Sequence, residues 1–157
     1  MKQSILLITI FSFCVSFHLF AQPDFNGADL DIMNKEVDSL AAIYWPNENR
    51  TKIINLEKEG RSAVIKFFLT LTPAQQADVM KNRMHQALTV PSLSMLQKRV
   101  IVWVMKQIKP EHYDPNNPKR EEEAQKLNQE LMPILSKYFT KDQACLLFAE
   151  CSMKGIE

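Results

Sequence analysis

The chain has 157 residues, of which 46% are hydrophobic, and its 19 basic and 18 acidic side chains leave a net charge of +1. This near-neutral balance gives no electrostatic basis for nucleic acid or an anionic membrane as the main partner. Three glycines in the whole chain also exclude a Gly-rich phosphate-binding loop.

The first 21 residues have the order of a cleavable secretory signal peptide. Lys2 is their only charge, residues 5–20 form an apolar run, and the small residue Ala21 precedes a polar segment. The run is shorter than the roughly 20 residues that a membrane span prefers. We therefore expect a signal peptide at 1–21, a mature chain at 22–157 with no membrane span, and a periplasmic or secreted location.

Residues 22–157 carry equal numbers of basic and acidic side chains, 18 of each, because the first 21 residues contain one base and no acid. This length is sufficient for one domain with a core of its own. Apolar positions recur at spacings of three and four almost throughout, which is the period of amphipathic helices. The sequence predicts a single compact all-α domain of five to seven helices.

The first predicted helix of this domain extends from about Ala28 to Tyr44 and ends before Pro46. Thr51 is expected to cap the next helix. Residues 51–69 then form either one bent helix or two short ones, because Gly60 interrupts the apolar pattern.

A helix from Pro73 to Leu88 follows, and either Ser92 or Ser94 begins the next one, which extends through Ile108. Residues 93–108 are apolar on more than one face, and a helix that is apolar nearly all round is usually buried. We therefore expect this segment to be the central element of the domain.

Residues 109–118 contain three prolines and are expected to form the one long surface loop. Residues 119–123 open a helix with Pro133 inside its apolar stripe, and a final helix spans about Lys141 to Cys151. An internal proline removes one backbone donor and is expected to kink its helix.

Two segments of the chain share the pattern T-x-x-Q. The first is Leu71-Thr72-Pro73-Ala74-Gln75 and the second is Phe139-Thr140-Lys141-Asp142-Gln143. The pattern is typical of a capping box, in which the threonine hydroxyl accepts from the third helical amide and the glutamine reaches back to the threonine amide. The preceding apolar residue, Leu71 or Phe139, can pack against the helix it introduces. Both segments are thus predicted helix starts.

The paired motifs also resemble the LTxxQ signature of the Spy/CpxP family of periplasmic chaperones and stress-response modulators. The matching residues are Leu71, Thr72 and Gln75 in one copy and Thr140 and Gln143 in the other, where Phe139 replaces the leucine. The chain lacks that family's Arg- and Met-rich helices. The resemblance implies ATP-independent binding of unfolded or stress-related proteins through an apolar concave face, a dimeric state and no catalytic residues.

Met80, Met84 and His85 are a weak candidate metal site, since thioether and imidazole groups suit copper. Methionines four residues apart also form an ordinary core stripe, which is the preferred interpretation. Cys145 and Cys151 could form a disulfide only if a helix ends between them, because six residues of helix separate them by about 9 Å.

Catalytic arrangements are missing from the sequence. His112 and Asp114 in the loop have no nucleophile beside them, and the two histidines after residue 21 cannot build the usual zinc site. We therefore expect an exported, non-enzymatic protein that needs no cofactor and binds other proteins. The alternatives are a copper-binding protein and a structural helical domain, and an exposed apolar surface would favour protein binding.

Overall fold

The computed structural model describes residues 23–27 and 29–148, and for residues 145, 146 and 148 it describes the backbone alone. This part of the chain is a single helical domain without strands, which confirms the predicted fold class. The helices are α1 (Leu30–Ala42), α2 (Glu48–Glu57), α3 (Arg61–Phe68), α4 (Pro73–Leu88), α5 (Met95–Gln107), α6 (Arg120–Tyr138) and α7 (Lys141–Phe148), with a 3-10 turn at Pro110–His112. The predicted signal peptide lies outside the described residues.

Helix α5 is the central element of the domain, as its apolar pattern predicts. Val100, Ile101 and Val104 have no exposed surface, and α5 packs against α1, α4 and α6. Full burial of such a side chain contributes about 1.5–3 kcal/mol. The core therefore depends first on keeping this helix covered.

Phe25 anchors the segment before α1 to the core. Its ring meets Trp103 and Tyr138 edge-on, with centroid distances of 6.0 and 5.5 Å. The Arg99 guanidinium donates to the Phe25 carbonyl at 3.0 Å and to Asn34 Oδ1 at 2.9 Å. These contacts join residues 23–27, α1, α5 and α6 at one corner of the domain.

The predicted start of α2 was wrong. Thr51 lies inside α2 and is exposed, whereas Asn47 is the N-cap and its Oδ1 accepts from the Arg50 amide at 3.1 Å. Asparagine and threonine are both strong N-caps.

Two ambiguities of the sequence are resolved by the backbone. Residues 51–69 contain parts of two helices, since Gly60 has a φ of +112° and separates α2 from α3. Ser94, rather than Ser92, is the N-cap of α5.

Helices α2 and α3 form a hairpin, which we call the α2–α3 arm. Within the described part of the chain, α2 is the only helix against which α3 packs extensively. Lys52 of α2 lies over the Phe67 ring at 4.3 Å. At the end of α3, Phe68 meets Tyr113 of the 109–118 loop edge-on at 6.1 Å, so this loop touches the arm as well as α4 and α6.

The positive φ of Gly60 leads to a stability prediction. A Cβ at this position meets no atom within 4 Å, so Gly60→Ala introduces backbone strain without a steric clash. We expect it to lower the free energy of unfolding in urea by about 1–3 kcal/mol. Glu59→Ala, one residue earlier, is the control and should change it by less than about 0.5 kcal/mol. Equal stability of the two variants would contradict the left-handed conformation at residue 60.

Candidate functional site

Both T-x-x-Q motifs form capping boxes. The Thr72 hydroxyl accepts from the Gln75 backbone amide at 3.3 Å, and the Gln75 side-chain oxygen Oε1 accepts from the Thr72 backbone amide at 3.0 Å. Thr140 and Gln143 repeat this pair at 3.3 and 3.0 Å. The two motifs therefore start α4 and α7, as the sequence predicts.

A third capping box, at Ser94 and Gln97, was not predicted from the sequence. Ser94 Oγ accepts from the Gln97 amide at 3.2 Å, and Gln97 Oε1 accepts from the Ser94 amide at 2.9 Å. The signal was present as S-x-x-Q at the start of α5. Gln97 also donates through Nε2 to the Tyr138 carbonyl at 2.9 Å and to Gln143 Oε1 at 3.2 Å. One side chain thus links the ends of α5, α6 and α7.

The remaining motif residues also have structural roles. Phe139 is buried in the core cluster, and the Leu71 carbonyl accepts from Gln76 Nε2 at 2.9 Å. Gln76 itself is 8% exposed. These hydrogen bonds and this burial therefore explain the motif residues by their structural role at the starts of helices.

The candidate metal ligands lie on α4 in two different surroundings. Met84 is buried in the core cluster and Met80 packs against its edge. His85 is 7% exposed; its Nε2–H donates to the Leu40 carbonyl oxygen, and its ring stacks on Trp45 at 5.5 Å. Each of the three side chains is thus engaged in packing or hydrogen bonding.

Other candidate ligands give no cluster. Among the described residues, no three His, Cys, Asp or Glu side chains are placed to hold a metal ion. Asp114 accepts from the Asn116 amide at 2.9 Å within its own turn. The proposed Cys145–Cys151 disulfide lies outside the described residues, since Cys151 and the Cys145 side chain are not among them.

The α2–α3 arm exposes several apolar side chains. Helix α3 has the sequence Arg-Ser-Ala-Val-Ile-Lys-Phe-Phe, yet none of its residues is buried. Ile65 is 46% exposed and Leu69, its C-cap, is 72% exposed. Ile54 of α2 is 42% exposed. A largely apolar helix is therefore covered by α2 and, at Phe68, by Tyr113, while Ile65 and its C-cap Leu69 stay exposed.

Comparison with protein-family models, with curated proteins and with solved structures finds no match to this chain. Over the residues that the structure describes, none of the helices combines the length and the hydropathy needed to cross a membrane. The functional argument therefore depends on the geometry of the chain itself.

The first capping box can be tested by a matched pair of substitutions. Thr72→Ala removes the N-cap acceptor of α4, and we expect a loss of about 1 kcal/mol in the free energy of unfolding. Thr51→Ala makes the same change inside α2, where alanine should be neutral or slightly stabilising because of its higher helix propensity. If Thr72→Ala leaves stability unchanged and weakens partner binding, the capping explanation is wrong and the motif has a role in binding.

Met84 allows packing and copper binding to be separated. Met84→Leu conserves most of the side-chain volume, so the free energy of unfolding should change by less than about 1.5 kcal/mol, whereas Met84→Ala should cost about 2–5 kcal/mol. If Met84 serves only in packing, titration with Cu(I) under reducing conditions gives the same result for Met84→Leu and the parent protein. Copper affinity that is present in the parent and lost in Met84→Leu would establish the alternative.

Proposed function

We propose that this protein is an exported, non-enzymatic helical domain that binds other proteins through the α2–α3 arm. The observation that carries the proposal is the exposure of α3. Its apolar side chains lie on a helix that the rest of the domain does not bury. Large exposed apolar patches mark interaction sites in proteins, and the exposed side chains of α3 and its C-cap are the basis for placing one here.

The energetics support a partner rather than a structural role for this surface. Covering apolar surface gains about 25 cal/mol per Å², and the domain leaves that gain unused at Ile65 and Leu69. The core around α5 is already closed by α1, α4 and α6. A polypeptide that covers α3 would gain this free energy without any rearrangement of the core.

The N-terminal pattern supports export, and the paired T-x-x-Q motifs support the more specific form of the proposal, a chaperone or envelope-stress component similar to the Spy/CpxP family. The capping boxes explain those motifs as helix starts. The binding proposal therefore rests on the arm. The motifs contribute to the domain as the starts of α4 and α7.

Suppression of client aggregation tests this proposal. The purified protein at stoichiometric excess should suppress aggregation of a chemically denatured client enzyme. The double variant Ile65→Ser/Leu69→Ser should weaken client binding at least about tenfold, because it removes the most exposed apolar side chains of α3 and its C-cap. The measurement is light scattering, together with binding of a fluorescent unfolded client.

Ile32→Ser provides the matched control, since Ile32 is 66% exposed but lies on α1. It should retain suppression. If Ile32→Ser loses suppression of client aggregation to the same extent, the arm is not the binding surface. If the parent protein does not suppress aggregation, the chaperone form of the proposal is wrong.

A further inference from the structure

A groove of about 360 Å³ lies between α2 and α4, beside α7. Its apolar lining includes four side chains that are each less than a tenth exposed: Ile53, Val79, Ala87 and Leu147. Ile54 and Val90 line it as well and are 42% and 38% exposed. The volume is at the lower end of the range for ligand sites, about 300–1,000 Å³.

The charges beside this groove are not balanced. Arg83 donates to Glu57 Oε1 at 3.0 Å, so these two charges pair with each other. Arg50 also lines the groove, and in the described part of the chain it has no ion pair. Asp78 is engaged by the Asn47 side chain, which donates to its carboxylate. The groove thus combines an apolar floor with one cation, Arg50, that has no anionic partner among the described residues.

We propose that this groove binds a partner polypeptide segment in which an apolar side chain stands next to a carboxylate. The apolar side chain enters between α2 and α4, and the carboxylate pairs with Arg50. This inference rests on the proposed protein-binding function and specifies the chemistry of the partner.

Charge complementarity is the first argument for this occupant. The guanidinium presents donors in a planar fork that matches a carboxylate, and such charge-assisted bonds are stronger than neutral ones. An apolar segment without an acid would leave Arg50 unpaired, and an apolar segment with a base would place two cations together.

Continuity with the arm is the second argument. Helix α2 presents Arg50, Ile53, Ile54 and Glu57 to the groove, while Lys52 of the same helix contacts α3. The arm itself adds Arg61 and Lys66 on α3 and no acid on that helix. A partner with acidic and apolar residues therefore suits both surfaces that α2 joins.

A peptide panel tests the inference. Short fluorescein-labelled peptides carry leucine and phenylalanine beside two glutamates, the same apolar pair beside two glutamines, or serines beside the two glutamates. Fluorescence anisotropy with the purified protein should show the glutamate–apolar peptide binding at least about tenfold tighter than either of the other two, a difference of about 1.4 kcal/mol.

Two variants locate that preference. Arg50→Gln should remove the advantage of glutamate over glutamine and leave the remaining affinity for the apolar pair. Lys58→Gln removes a cation from the end of α2 that does not line the groove, and it should keep the preference. Ile54→Ser should weaken both apolar peptides to a similar extent.

The alternative outcomes are distinct from one another. Equal binding of the glutamate and glutamine peptides, insensitive to Arg50→Gln, overturns the inference and leaves protein binding intact. Suppression of client aggregation without binding of any peptide has the same meaning. Binding of decanoate but of no peptide assigns the groove to a small amphiphile and overturns the inference. Failure of both the peptide and the aggregation assays overturns the proposed function as well.

Discussion

The burial of α5 is the constraint on which the rest of the domain depends. A helix with three side chains at zero exposure needs apolar cover on several sides, and α1, α4 and α6 provide it. Phe25 covers a further part of the same helix through Trp103. Because these elements meet on one helix, their positions are fixed relative to one another, and the surfaces between them are fixed as well.

The backbone groups at the ends of a buried helix need hydrogen-bond partners, and Gln97 provides one at the start of α5. Its side-chain Oε1 accepts from the Ser94 amide, while its Nε2 donates to the Tyr138 carbonyl at the end of α6 and to Gln143 in the capping box of α7. An amide group can do this because it is both donor and acceptor. The Tyr138 carbonyl, near the end of α6, belongs to the group of carbonyls that a helix cannot satisfy internally. Capping and tertiary packing are therefore one network here.

The sequence predicted what is local and missed what is not. The start of α4 and the box at Thr72 follow from five adjacent residues, and the central position of α5 follows from its apolar pattern. Thr51 failed as a cap because Asn47, a stronger N-cap residue, comes first along the chain. The Gln97–Gln143 bond could not be predicted, since it joins residues 46 positions apart. The exposure of α3 could not be predicted either. An apolar pattern favours burial, but it carries no information on whether a neighbouring element is available to cover the helix.

The exposure of α3 bears on the proposed function. Local pattern and tertiary structure agree along most of the chain, and sites where they disagree are where function is expected. Helix α3 reaches the rest of the domain chiefly through α2 and through Phe68 at Tyr113, so few apolar contacts hold it in place. Segments with few buried contacts open at lower free energy than the core does. If the arm binds other proteins, as proposed above, α3 can adjust to its partner while α5 stays covered. A surface that binds varied unfolded chains needs this combination, because the partner changes shape and the framework beneath must not.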